Sequence, residues 1–391
     1  MLSSKKIVYF IIFIGLFSII FQVTSFGDGI IRGVIDNTRI DNIGIDSTGI
    51  DNIGIDHITI SGILSGINKF ITGGISAGNK LNTYKNVYEP APVYEKTAEV
   101  KVYFCPMDNC EEVYLNLFNS SSASINCAFY DVKDSIINEL KKKQNKVDVK
   151  LVIDDEYYNK ILNLSNENVN QINAKKDYKG LMHNKFCIID NKKIITGSTN
   201  PTENGFNINN NNIIIIESVY LSENYMEEFD ELWNGIFKSG KKVKYPAIYL
   251  NNKRYENYFC PEDECEEHIL EALKKAKKSV YFMTFSFTSD KIGNYLISRK
   301  DLIVKGVFEK SQNNKYSEYE KMKGSGIEVV FDKNKRNMHH KVFIIDESVV
   351  ITGSYNPTQN GDESNDENVL IIHDALIAKR FVDEFWRIYT N

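Results

Sequence analysis

The sequence predicts an α/β protein made of two pseudo-symmetric halves, each an α/β/α sandwich, with a functional site at the interface between them. Segments with strand and helix patterns alternate through residues 99–391. The strand segments carry unbroken apolar runs such as FCII, VFII and IIII, which are typical of sheets covered on both faces. A motif that begins at His183 recurs at His339, 156 residues later, which indicates a duplication at domain scale.

The first half is predicted for residues 99–240 and the second for 254–391, with the non-helical stretch 240–254 as the boundary. In the first half the patterns predict the motif strand, strands at Glu99–Phe104, Ala123–Tyr130, Val147–Asp154, Lys193–Thr196 and Asn212–Glu217, and helices at Glu111–Phe118, Lys133–Lys143 and Glu223–Phe237. In the second half they predict the motif strand, strands at Tyr258–Cys260, Ser279–Phe287, Leu302–Phe308, Ile327–Phe331, Val349–Thr352 and Asn368–Ile372, and helices at Glu266–Lys277, Lys291–Ser298 and Ala375–Tyr389.

The repeated motif reads His-x-Lys-x4-Asp-x6-Gly-Ser-x-Asn. Its members are His183, Lys185, Asp190, Ser198 and Asn200 in the first half, and His339, Lys341, Asp346, Ser354 and Asn356 in the second. Because side chains alternate along a strand, each Lys is expected on the same face as its His, and the intervening residue, Asn184 or His340, is expected to face away. His340 is interpreted as structural or solvent-facing.

These residue types suit the cleavage of a phosphodiester. A neutral imidazole attacks phosphorus well when neighbouring cations neutralise the non-bridging oxygens, and a second imidazole can protonate the leaving oxygen and then activate water. The Ser and Asn side chains of the motifs could hydrogen-bond the phosphoryl oxygens or fix a His tautomer. Asp190 and Asp346 follow the motif strands and are interpreted as structural, through strand-end hydrogen bonds or an ion pair. With Lys and Asn stabilising the charge, the chemistry requires no metal and no cofactor.

Both motifs match the signature of the phospholipase D superfamily of phosphodiesterases, which the chain resembles over roughly residues 99–390. The resemblance implies hydrolysis through a phosphohistidine, with His183 as nucleophile and His339 as general acid/base, although the sequence alone does not decide their order. The stretch Asn365-Asp-Glu367-Asn368 also matches a family pattern, and Asn211 is the first-half equivalent of Glu367. By resemblance, Glu367 and Asn211 orient the two catalytic imidazoles, one with a charge and one without.

Charge and composition bear on the substrate. The chain has 47 Lys and Arg against 52 Asp and Glu, a net charge of −5 and a pI of about 5.8, which argues against undirected nucleic-acid binding. A basic run, Lys333, Lys335 and Arg336, leads into the second motif strand. We therefore expect a phospholipid headgroup ester as substrate, with DNA or RNA cleavage as the alternative and a catalytically decayed binding module as the third possibility. One chain carries both motifs, so no obligate homodimer is expected.

The N-terminal residues bear on the location of the protein. Residues 1–26 place Lys5-Lys6 before an apolar run from Ile7 to Phe21, as in a membrane anchor or a signal peptide. Positive charge before such a run predicts a catalytic region outside the cytoplasm, either anchored to the membrane or secreted after cleavage. Residues 27–98 contain a five-residue repeat at Ile35–Ile60, interpreted as a spacer or a short β-solenoid, followed by a linker.

The cysteines repeat as well. Cys105 and Cys110 in the first half correspond to Cys260 and Cys265 in the second, each pair flanking a turn into a helix. In an oxidising exterior we expect a local disulfide in each half, with a four-thiolate zinc site as the alternative. Two further cysteines, Cys127 and Cys187, lie in apolar strands and are expected to be buried free thiols.

Overall fold

A computed structural model of the chain describes residues 91–96, 99–158, 172–173 and 180–391. The predicted membrane segment at 1–26 and the five-residue repeat lie outside these residues. Among the helices of the described part, none is long and apolar enough to cross a bilayer.

The first sheet is built from the first half of the chain. Its strands are β2 (Val100–Cys105), β3 (Ser124–Phe129), β4 (Asp148–Ile153), β5 (Ile172–Asn173), β6 (Lys185–Ile189), β7 (Lys193–Gly197) and β8 (Asn211–Glu217), in the spatial order β2-β8-β7-β6-β3-β4-β5. The helices of this half are α1 (Cys110–Asn119), α2 (Asp134–Lys143), α3 (Glu203–Asn207) and α4 (Val219–Trp233).

The second sheet is built mainly from the second half. Its strands are β1 (Val93–Glu95), β9 (Ala247–Leu250), β10 (Lys253–Cys260), β11 (Ser279–Thr284), β12 (Ile303–Phe308), β13 (Glu328–Phe331), β14 (Lys341–Ile345), β15 (Val349–Gly353) and β16 (Glu367–Ile372), in the order β1-β9-β10-β16-β15-β14-β11-β12-β13. The helices are α5 (Cys265–Lys274), α6 (Asp290–Ser298), the 3₁₀ helix Lys310–Gln312, α7 (Tyr319–Gly324), α8 (Gln359–Glu363) and α9 (Ala375–Tyr389).

The two sheets repeat one topology. The order β10-β16-β15-β14-β11-β12-β13 in the second sheet matches β2-β8-β7-β6-β3-β4-β5 in the first, strand for strand. Both sheets are mixed: β3 pairs in parallel with β4 and antiparallel with β6, and β11 pairs in the same way with β12 and β14. The predicted mixed α/β fold with two related sheets is confirmed.

The hydrophobic core is arranged in layers. A central cluster joins the two sheets and includes Phe186 of β6, Val342 of β14, Phe229 of α4 and Phe381 of α9. Separate clusters cover the outer face of each sheet, against α1 and α2 in the first half and α5 and α6 in the second. Each described sheet is therefore covered on both faces, which explains the unbroken apolar runs of its strands.

Several elements were not predicted from the sequence. The stretch assigned to the linker contains β1, and the stretch assigned to the boundary contains β9, which pairs with β1 in parallel at the edge of the second sheet. The short helices α3 and α8 were also missed, because five residues are too few to show a periodicity. Each begins after a threonine, Thr202 or Thr358, whose hydroxyl accepts a hydrogen bond from a backbone N–H of the first turn.

The cysteine predictions are partly right. The two local disulfides, Cys105–Cys110 and Cys260–Cys265, are present. The prediction that Cys127 and Cys187 are free thiols is wrong, because they form a third disulfide. They lie directly opposite each other on the antiparallel strands β3 and β6, with their Cα atoms 4.0 Å apart. The sequence places both in apolar strands but does not give the register that brings them together.

Candidate active site

Each motif histidine lies at the start of a strand that is held by the backbone of the other half. The His183 N–H donates to the Asp366 carbonyl at 2.9 Å, and the His339 N–H donates to the Asn210 carbonyl at 2.8 Å. These contacts belong to short parallel bridges, one between Met182 and Asp366 and one in the equivalent place of the other half. The two motifs therefore meet at the interface between the halves.

Each imidazole is oriented by a side chain from the opposite half. His183 Nδ1 lies 2.8 Å from both carboxylate oxygens of Glu367, and His339 Nδ1 lies 2.9 Å from Asn211 Oδ1. Asn211 Nδ2 donates to the Gly205 carbonyl, so its oxygen is the atom that faces the ring. Both rings therefore carry their proton on Nδ1, and both Nε2 atoms keep a free lone pair.

The Gly-Ser pair of each motif contacts the strand that carries an orienting side chain, β8 in the first half and β16 in the second. Ser198 Oγ donates to Asn211 Oδ1 at 3.0 Å, and Ser354 Oγ accepts from the backbone N–H of Asn368 at 2.9 Å. Gly197 has φ of +136°, and a Cβ on it would lie 2.3 Å from a backbone oxygen of β8. Only glycine fits so close to the neighbouring strand. Ser198 contacts the side chain that holds His339, and its contact with phosphoryl oxygens stays a prediction.

The two lysines lie beside the histidines of their own motifs. Lys185 Nζ donates to the His183 carbonyl at 2.5 Å, and Lys341 Nζ donates to the His339 carbonyl at 2.9 Å. Each ammonium also lies over an aromatic ring that follows the neighbouring strand. The ring-centroid distances are 5.3 Å for Lys185 over Tyr130 and 4.8 Å for Lys341 over Phe285.

Burial and mutual repulsion shape the charges of these four side chains. Both histidines are only 7% exposed. Burial lowers the pKa of His183 to about 4, although Glu367 opposes the shift, and it lowers the pKa of His339 well below its usual value, with Lys341 and Lys185 adding to the effect. Burial also lowers the pKa of Lys185 to about 7 and that of Lys341 well below its usual value. Because groups from both motifs act on one another, they form one site.

Comparison with known proteins agrees with this geometry. The sequence model of the family described as "Cardiolipin synthase, PLD-like domain" matches the chain at residues 114–233 and again at 269–389. The chain belongs to the phospholipase D superfamily. It is accordingly a phosphodiesterase hydrolase, as the sequence resemblance implied.

Relatives of this phospholipase D-like chain align with parts of it. Phospholipase D of Rickettsia bellii (strain RML369-C) is 31% identical over 148 residues, which cover 37% of this chain and 74% of that protein. Mitochondrial cardiolipin hydrolase of Xenopus laevis is 31% identical over 140 residues, covering 33% of this chain and 65% of that protein. The crystal structure of phosphatidylserine synthase from Haemophilus influenzae Rd KW20 is 14% identical, with a TM-score of 0.56 over 72% of this chain and 85% of that chain. This last likeness shows the fold.

The remaining motif residues of the phospholipase D-like chain, two asparagines and two aspartates, differ in their contacts. Asn200 and Asn356 each bury an Oδ1 atom that has no hydrogen-bond partner among the described residues. Their contact with phosphoryl oxygens stays a prediction. Asp190 accepts hydrogen bonds from the backbone N–H groups of residues 122–124, and Asp346 accepts them from residues 277–279. Both carboxylates thus tie strand ends together, the structural role considered from the sequence.

Three further residues at the site were not predicted from the sequence. Tyr130 packs edge-on against the His183 ring at 5.1 Å, and Phe285 packs against the His339 ring at 4.7 Å. These two aromatic residues follow β3 and β11 and are 155 residues apart, so a search at the 156-residue period misses them. Asp154 was also missed; it accepts the backbone N–H of Met182, next to His183, at 2.9 Å.

A carboxylate cluster in the described part of the chain could hold a cation. Glu228, Glu231 and Glu262 each bring an oxygen to within 4.8 Å of the others. The cluster is joined to the motif region through Asn184, whose amide donates to Glu228 at 3.2 Å. Burial and the neighbouring carboxylates raise the pKa of Glu228 well above its usual value. A protonated Glu228 lessens the repulsion among the three side chains.

Proposed function

We propose that this chain hydrolyses a phospholipid headgroup ester through a phosphohistidine, without a metal ion. The observation that carries the proposal is the paired arrangement of the imidazoles. Nδ1 of His183 and Nδ1 of His339 are each bound to a side chain of the opposite half, which leaves both Nε2 atoms free in a site that also holds the side chains of two lysines. A nucleophile, an acid/base group and cations to neutralise phosphoryl oxygens are the set that this reaction needs.

The proposed reaction has two steps. His183 Nε2 attacks phosphorus, the bond from phosphorus to the leaving oxygen breaks, and His339 donates a proton to that oxygen. His339 then takes a proton from water, the water oxygen attacks phosphorus, and the P–N bond to His183 breaks. Lys185 and Lys341 offset the negative charge on the phosphoryl oxygens in both steps.

The protonation states fit this sequence once substrate is bound. In the protein without bound substrate the pKa of each imidazole lies below its usual value, so His183 is neutral and can attack at neutral pH. A phosphodiester anion between the motifs raises the pKa of every nearby cation. His339 is then able to hold the proton that the leaving oxygen requires. Glu367 stabilises the positive charge that develops on His183 as the P–N bond forms.

Several features support a lipid as the substrate. Relatives named phospholipase D and mitochondrial cardiolipin hydrolase are each 31% identical to this chain over the parts that align. The net charge of −5 disfavours a protein that binds long polyanions. We further propose that residues 1–26 carry the catalytic region to the outer side of a membrane, which would bring it close to lipid headgroups.

Nucleic acid is the second candidate, and a specific observation favours it. Lys333, Lys335 and Arg336 are exposed and lie a few residues before His339, where they could contact flanking phosphates. A nuclease would use the same imidazoles and ammonium groups.

A substrate panel separates the candidates. Purified protein is incubated with vesicles of cardiolipin or phosphatidylcholine and with single-stranded DNA and RNA, each in excess EDTA. We expect headgroup release from vesicles to persist in EDTA. Cleavage of nucleic acid with no lipid hydrolysis would overturn the lipid assignment. Complete loss of activity that Mg²⁺ or Zn²⁺ restores would overturn the metal-free mechanism.

A further inference from the structure

The residue between the His and the Lys of each motif makes contacts with the opposite half. Asn184 and His340 are both fully buried. Asn184 Oδ1 accepts a hydrogen bond from Asn368 Nδ2 at 2.8 Å. His340 Nδ1 lies 3.0 Å from Asn212 Nδ2, which makes the equivalent contact. The intervening residues therefore do more than fill the space behind the catalytic strands.

These contacts complete a pairwise pattern across the interface. The consecutive residues Glu367 and Asn368 contact the consecutive residues His183 and Asn184. In the same way, the consecutive residues Asn211 and Asn212 contact the consecutive residues His339 and His340. Two neighbouring side chains of the opposite half therefore contact each catalytic strand, one on each of its faces. A shift of either strand would break both contacts at once.

Two threonines fix the direction of the amides involved. Thr196 Oγ1 donates to Asn368 Oδ1, and Thr352 Oγ1 donates to Asn212 Oδ1, each at 2.9 Å. Because the amide oxygens accept from the threonines, the amide nitrogens must face the intervening residues. Both nitrogens are donors, so the intervening residue has to present an acceptor.

His340 meets this demand in only one form. Its Nδ1 must accept from Asn212, and its Nε2, 3.2 Å from Glu384 Oε1, must then donate. This neutral tautomer reproduces the pattern of Asn184, whose oxygen accepts from the opposite half and whose nitrogen donates to Glu228. The chain therefore places the same donor and acceptor arrangement behind both catalytic histidines with two different residue types.

We propose that Asn184 and His340 are positioning residues, each of which holds the neighbouring catalytic histidine at the angle set by its partner in the opposite half. Asn184 acts on His183, and His340 acts on His339. Loss of the contact frees the strand to move relative to Glu367 or Asn211. A displacement of about 1 Å at a reacting group is enough to lower the rate by ~10²-fold. The proposal rests on the two-histidine phosphodiesterase function described above.

The test compares leaving groups, because a change in packing alone would not depend on them. Bis-p-nitrophenyl phosphate has a good leaving group that needs little protonation, and diphenyl phosphate has a poor one. His183→Ala and His339→Ala define the pattern of loss for each histidine on the two esters. Asn184→Leu and His340→Leu are measured beside them, with kcat and KM determined separately.

We expect each Leu variant to reproduce the leaving-group pattern of its neighbouring His→Ala variant, with kcat lowered by ~10²-fold and KM little changed. His340→Asn keeps an acceptor and a donor in the required places, so it should recover to within about threefold of the wild-type kcat. Thr352→Val, which removes the hydroxyl that directs Asn212 and nearly preserves shape, should show a smaller loss with the same pattern as His340→Leu.

A matched control is His373→Leu. His373 is bonded to Glu256 at 2.6 Å, as His340 is bonded to Glu384, but it contacts neither catalytic histidine. This variant should be less stable to urea, and any loss of its activity should be equal on the two esters. Losses in His340→Leu that are equal on the two esters, or a failure of His340→Asn to recover, would overturn the proposal. Wild-type protein that cleaves these esters but no lipid would count against the lipid substrate and leave this comparison intact.

Discussion

Glu367→Gln should separate the charge of this side chain from its hydrogen bond. Both carboxylate oxygens lie 2.8 Å from His183 Nδ1, and Glu367 is fully buried. Glutamine keeps an oxygen that can accept the Nδ1 proton but carries no charge, and so resembles Asn211 opposite His339. In the proposed mechanism the ring of His183 becomes positive when its Nε2 bonds to phosphorus. The variant therefore removes a stabilisation that acts mainly after attack has begun.

The size of the effect follows from the separation of the charges. Two unit charges about 4 Å apart attract by about 4 kcal/mol at an effective dielectric constant of about 20. That energy corresponds to about three orders of magnitude in rate. Glutamine retains part of the orienting contact, so we expect kcat to fall by about 10²- to 10³-fold.

The assay is the pH dependence of bis-p-nitrophenyl phosphate hydrolysis. In the proposed mechanism His183 attacks in its neutral form, so activity should be lost as the pH falls through its pKa, which burial lowers to about 4. Glu367 raises that pKa against the stronger effect of burial. Its removal should therefore move the acid limb to lower pH while the plateau rate drops.

A second buried carboxylate provides the control. Glu256 is bonded to His373 at 2.6 Å, outside the site, so Glu256→Gln removes the same kind of pair. We expect this control to keep its plateau rate. The reasoning fails if Glu367→Gln stays within about threefold of the wild type, or if both variants lose activity equally.

Three further predictions follow from the geometry. His183→Ala and His339→Ala should each lower the rate by ~10³-fold or more, and half activity in either variant would mean two independent sites. Binding of inorganic phosphate should take up protons at pH 7.5, because burial lowers the pKa of Lys185 to about 7 and a bound anion raises it again. Calorimetry in buffers of different protonation enthalpy measures this uptake, and the affinity for phosphate should fall above about pH 7. Replacing Cys127 and Cys187 by alanine should cost about 2–4 kcal/mol of stability to urea, and an unchanged midpoint would contradict a structural disulfide.

Much of the fold was predictable because the duplication left a strong signal. The motif strands and their flanking helices have lengths and apolar patterns that survive in both halves. The edge strand β1 has only three residues and is ordered by parallel pairing with β9, which in turn pairs with β10; such pairing leaves no pattern within β1 itself. Pairing also explains the missed disulfide, because Cys127 and Cys187 meet only through the register of β3 and β6.

The site shows a similar division. The residues that the motif spacing brings together were all identified, including Glu367 and Asn211. What the sequence could not give was which half each partner serves. The contacts cross the interface: the carboxylate of the second half holds His183, and the amide of the first half holds His339. The contacts of Tyr130 and Phe285 with the two imidazoles were not predicted, because neither aromatic residue belongs to a recognisable motif.

The crossing of these contacts gives the duplication a chemical consequence. Neither half contains both a catalytic imidazole and the side chain that fixes its tautomer, so one half alone lacks an oriented nucleophile. Two identical halves would give both imidazoles the same partner and hence similar basicity. In this chain the two partners differ, a charged Glu367 for His183 and a neutral Asn211 for His339. In the proposed mechanism, the carboxylate stabilises the cation formed on attack, whereas the amide leaves the second ring freer to release its proton to the leaving oxygen. Under that mechanism, fusion of the halves in one chain allows the two histidines to take different roles in one reaction.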